Sequence, residues 1–147
     1  MKTKVVTPKY VEWLTAENMH QTSLEWLSEL RFVYDEQLFF NDLVKSYTLQ
    51  LINTKHFQES KSITDKLNIL EKDTNHLIDQ VVAHEKGLEI MVDSINQIAK
   101  ENDYKREHNN LTNSINKFMS DYKALKTRLF ALLKDVLKEG KQKHLLQ

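Results

Sequence analysis

Three runs of residues at heptad spacing constrain this chain more than any other feature. The first is Met19, Trp26, Leu30, Val33, Gln37, Phe40, Val44, Tyr47 and Leu51. The second is Ile63, Leu67, Leu70, Thr74, Leu77, Val81, His84, Leu88, Met91, Ile95 and Ile98. The third is Tyr104, His108, Leu111, Ile115, Phe118, Tyr122, Leu125, Leu129, Leu132 and Val136. Steps of three and four alternate throughout, apart from one seven-residue step where Ser23 interrupts the first run. A stripe spaced this way stays on one side of a helix and faces a partner helix as the two supercoil. The pattern specifies an architecture and names no chemistry.

With only two glycines and one proline, the chain has few turns to spend, which argues against strands joined by hairpins. The expected fold class is all-α: an elongated antiparallel up-down-up three-helix bundle, coiled-coil-like, with a short N-terminal arm. The 147 residues suit one domain. Residues 1–14 form the arm, with Thr7-Pro8 starting a helical turn and Tyr10, Trp13 and Leu14 docking on the bundle. Residues 15–140 form the bundle, with helices over about 16–52, 58–98 and 104–139, and 141–147 form a frayed tail. Thr15 is the N-cap of the first helix, and Phe57 staples the entrance of the second. Turns fall at Asn53-Thr54-Lys55-His56 and over 99–103, and Gly140 is placed to end the third helix. Turns this short make consecutive helices antiparallel, giving a bundle roughly 50–60 Å long at the rise of an α-helix.

Lysine plus arginine and aspartate plus glutamate are equal at 21 each. The balance conceals an asymmetry. Residues 15–99 carry fourteen acids against seven bases, and residues 100–147 six against eleven. The expected consequence is electrostatic docking of the third helix on the other two, not a polyanion site. The lysines of the third helix are interleaved with Asp121, Asp135 and Glu139, which argues against a nucleic-acid stripe. There is no cysteine, so disulfides, thiolate metal sites and cysteine nucleophiles are excluded. No stretch approaches the roughly 20 apolar residues that span a bilayer, and the basic N-terminus lacks the apolar core of a signal peptide. A cytoplasmic protein with neither nucleic acid nor membrane as partner is expected.

The first helix carries more apolar surface than its seam uses. Leu24, Leu27, Phe32, Tyr34, Leu38 and Phe39 flank the seam or point away from it. They form a candidate interface for a homodimer or for another helical protein, with Leu24, Leu27, Arg31, Tyr34 and Leu38 as a second seam. The bland alternative is cover by the N-terminal arm, or simple exposure.

The six histidines invite a metal search. Glu17-Asn18-Met19-His20 has the Glu-x-x-His spacing of di-metal bundles, with Asp73-Thr74-Asn75-His76 as a weaker echo. Folding about the expected first turn sets His20 opposite Ile90 and His76 opposite Tyr34, more than ten residues apart in height, so the two motifs do not share a metal. His84 and His108 are candidate core histidines, His84 near Trp26 and Phe118, His108 near Asp93 and Ser94. Burial would favour their neutral forms and make the fold acid-sensitive. Gln37, Thr74 and Arg128 are a candidate buried polar layer of the kind that fixes register. There is no phosphate-cradling glycine loop, nucleophile elbow, His-Glu-x-x-His or EF-hand loop.

The stretch from Trp26 to Leu51, WLSELRFVYDEQLFFNDLVKSYTLQL, followed by HFQESKSI and later VVAHEKGLEIMVDSI, resembles small helical proteins of flavobacteria and their relatives. That group has no assigned activity, so the resemblance implies a helical fold over most of the chain and transfers no functional residue. The resulting expectation is a non-enzymatic bundle without cofactor that acts by protein–protein contact and self-associates through its first helix. The alternative is a metal- or small-ligand-binding bundle that uses its core histidines.

Overall fold

The computed structural model describes residues 15–52, 55–92 and 98–146, with side chains for 15–52, 55–91 and 100–142. The arm with its Thr7-Pro8 turn and Tyr10, Trp13 and Leu14, the Asn53-Thr54 part of the first turn, and Asp93, Ser94 and Ile95 lie outside the described residues.

Every element among the described residues is helical: α1 is Ala16–Ser46, α2 Thr48–Leu51, α3 Phe57–Val92 and α4 Ile98–Leu146. None of these helices is long and apolar enough to cross a membrane. Thr15 caps α1, its Oγ1 accepting from the Asn18 amide at 3.0 Å. The helices contribute to two compact units. One takes the described residues up to Val33 together with Thr74–Lys117; the other takes Tyr34–Asp73 and the described residues from Phe118 onward.

The heptad positions supply both cores. In the first unit Met19, Trp26, Leu30, Val33, Leu77, Val81, Leu88, Met91, Leu111 and Ile115 are buried. In the second, Phe40, Leu51, Ile63, Leu67, Leu70, Phe118, Tyr122, Leu125, Leu129, Leu132 and Val136 are buried. Val44, Tyr47 and Tyr104 sit half-buried. Ser23, where the first run is interrupted, is fully buried, and its hydroxyl donates to the Met19 carbonyl at 2.7 Å. That bond satisfies the one polar group the position carries, so the seam continues through it.

Four helix boundaries differ from expectation. The first helix breaks at Tyr47 instead of running to 52. The Thr48 hydroxyl donates to the Lys45 carbonyl at 2.8 Å, and the Tyr47 amide takes Val44 at a three-residue step. These tighter bonds interrupt the four-residue ladder, and α2 restarts as a single turn. The helix expected over 58–98 stops at Val92, and the one expected from 104 already begins at Ile98, so residues 99–103 are helix and not turn. α4 also runs through Gly140 to Leu146. Glycine costs a helix interior about 1 kcal/mol and does not by itself stop one.

The basic third helix docks through specific pairs in the second unit. Lys126 Nζ lies 3.1 Å from Glu36 of α1, and Arg128 lies 2.9 Å from Glu59 of α3. Tyr122, buried, donates to the same Glu36 at 2.8 Å, while Lys126 sits over its ring at 5.1 Å. Burial first, then the neighbouring carboxylate, push the Tyr122 hydroxyl up from its ordinary value of 10.0.

Candidate functional site

The first unit holds a buried polar cluster built by α3 and α4. His84 and His108 are both buried, and His84 Nε2 lies 3.1 Å from His108 Nδ1. The Glu107 carboxylate bonds the other ring nitrogen of His84, Nδ1. A carboxylate accepts, so His84 donates at Nδ1, accepts at Nε2 and receives the proton of His108 Nδ1. The ring of His108 stacks on Trp26 with centroids 4.5 Å apart, and Tyr104 tilts against His84 at 5.8 Å.

The Tyr104 ring reaches α3 at Gly87. A side-chain carbon there would fall 2.7 Å from the ring carbons, so only glycine leaves room for it. Burial lowers both imidazoles from their ordinary 6.5: His84 against the pull of Glu107, and His108 to about 4, with the charge of His84 adding to the effect. These donors bond one another in series and do not converge on a point. Among the described residues no three histidine or acidic side chains are arranged to hold a metal ion.

His84 therefore meets His108 and Glu107, and not Phe118 as the expected turn would have it. The second connection lies between Val92 and Ile98, about six residues earlier than expected. Moving the fold point by that much shifts the residues opposite His84 by about twice as many. His108 is likewise buried against Trp26 and His84 instead of sitting near the helix end. His20 faces Glu85, Nδ1 to Oε2 at 3.4 Å, and not Ile90.

Of the candidate polar layer, two members are core residues and the third is not. Gln37 and Thr74 are both fully buried and belong to different units. Neither amide atom of Gln37 has a hydrogen-bond partner among the described residues. Arg128 leaves the core: its side chain is 39% exposed and reaches Glu59 and the Ser62 hydroxyl, each at 2.9 Å. An aliphatic stem beside the seam lets the guanidinium reach outward to an acid instead of entering a dry core.

Of the candidate interface residues, Leu27 is core, 5% exposed, and drops out of the surface. The rest are exposed. In the first unit these are Leu24 and Phe32, the latter 66% exposed; in the second they are Tyr34, Leu38 and Phe39, the last 57% exposed.

The second unit also has an open groove of about 590 Å³ that heptad reading did not reveal. Leu43 lines it from α1, Tyr47 from the break after α1, and Phe130, Leu133 and Leu137 from α4, with Lys134, Lys138 and Lys141 at the same wall. The signal was present as Phe130, Leu133 and Leu137, an apolar row beside the third seam.

No family model matches the chain, and neither a curated protein nor a solved structure matches it.

Proposed function

We propose that this protein acts by protein–protein contact and not by catalysis, as an up-down-up three-helix bundle that pairs with a second copy through α1. The observation that carries the reading is the exposure of large apolar side chains on a helix whose other side is already buried. Phe32, Leu38 and Phe39 stand in water while Leu30, Val33, Gln37 and Phe40 fill the cores. Fully burying one such side chain contributes about 1.5–3 kcal/mol, so a few of them supply the apolar centre of an interface. A second copy is the natural occupant because an isologous contact brings the same apolar patch to both sides at once. The place of work is the cytoplasm, where a cysteine-free chain forgoes nothing by lacking disulfides.

The test replaces Phe32 and Phe39 together by glutamate. Both are exposed within the monomer, so the variant keeps its helical circular dichroism and runs as a folded monomer in light scattering. A folded variant with the same mass as the unmodified dimer would overturn the reading.

A further inference from the structure

The groove of the second unit is apolar along its floor and cationic along its wall, and its charges are sorted. On α4, Asp135 and Glu139 point toward the turn that precedes α3: Glu139 takes Lys55 at 2.7 Å and His56 at 3.0 Å, and Asp135 acts on Lys55. Lys134, Lys138 and Lys141 turn to the groove, and none is paired with an acid among the described residues. The groove stays open because α1 ends at Ser46, and Leu49 of α2 is 81% exposed instead of filling it. Phe130, edge-on to Phe40 at 5.5 Å, closes one end of the floor.

We infer that this groove is a docking site for an acidic amphipathic helix of a partner protein. From Phe130 to Lys141 the wall covers roughly 16 Å, about three helical turns. Apolar residues at 130, 133 and 137 match anchors at helical spacing on a partner, the mode in which a helix lies in a groove. The three lysines extend over about 10 Å of helix, which fits a row of carboxylates better than one anionic head group. Like charge argues against the chain's own first fourteen residues, which carry three lysines and one glutamate. This surface uses other residues than the α1 pairing proposed above, so either reading can fail alone.

The probe is a synthetic peptide of about 18 residues, long enough to hold a helix on binding, with leucines at helical spacing flanked by glutamates. Its twin carries lysine in place of each glutamate. By fluorescence anisotropy the acidic peptide saturates the unmodified protein, and the lysine twin does not. Lys134→Glu with Lys138→Glu weakens the acidic peptide by about tenfold or more, and added salt weakens it in the unmodified protein. Both lysines are exposed, so circular dichroism is unchanged; Leu137→Ser, also at an exposed position, gives a second loss that does not depend on charge.

Equal binding of the two peptides, no saturation up to about 1 mM, or indifference to both variants would overturn the inference. So would dodecanoate binding that excludes the acidic peptide, which marks an acyl site. A change from dimer to monomer on Leu137→Ser would also overturn it, because a second copy would then fill the groove.

Discussion

At the scale of single residues, the buried polar groups are satisfied to different degrees. The Ser23 hydroxyl donates to the Met19 carbonyl and costs the seam little, whereas Gln37 is fully buried with both amide atoms unpaired among the described residues, at a cost of about 1–3 kcal/mol. The bond between His84 and His108 holds while at most one of the two rings is charged, since one of the facing nitrogens must stay an acceptor. The sign of the pH effect follows. His108 is held down to about 4 in the fold, against an ordinary value of 6.5. Above about pH 6.5 neither the folded nor the unfolded chain protonates it, and stability is full. As pH falls from there toward 4, the unfolded chain takes up the proton and the fold does not, so stability drops by as much as about 3 kcal/mol. His84, also lowered, adds in the same direction. Urea unfolding between pH 7.5 and 4 should show this loss, and His108→Gln, which keeps a donor but cannot titrate, should flatten it. An equally steep profile in that variant would show that the acid sensitivity arises elsewhere.

At the scale of elements, the contact between α3 and α4 in the first unit turns on Gly87. Alanine at an exposed helical site usually stabilises by about 1 kcal/mol over glycine. Here the added carbon meets the Tyr104 ring, so Gly87→Ala should give no gain and should disturb the Tyr104–His84 contact. In a Tyr104→Ser background the same substitution should stabilise by about 0.5–1 kcal/mol. Thermal unfolding of the four proteins in that cycle measures the difference, and an equal effect in both backgrounds would show that the ring does not need the notch.

Elements also show what was legible before the structure. Core positions could be read because a repeat of three and four leaves one face to bury, and each seam residue whose side chain is described is buried or half-buried. Helix ends could not. They depend on competing local bonds, as at Thr48, and on whether one glycine outweighs its neighbours, as at Gly140 it does not. The histidine pair was lost with them, because its partners follow from where the second turn lies. Asp93, Ser94 and Asn96 are of residue types that favour turns, a signal the sequence carried ahead of the expected second turn. Arg128 was misplaced for a different reason: heptad position gives the direction of a Cβ and not the reach of a long side chain.

At the scale of the whole molecule, equal numbers of acids and bases leave no net charge to keep copies apart. On the proposed reading, the exposed apolar residues of α1 decide the state in solution. Light scattering of the unmodified chain across a range of concentrations tests that claim most directly. The account predicts a mass near twice 17.4 kDa that falls toward the single-chain value on dilution. A mass of 17.4 kDa at every concentration would contradict it.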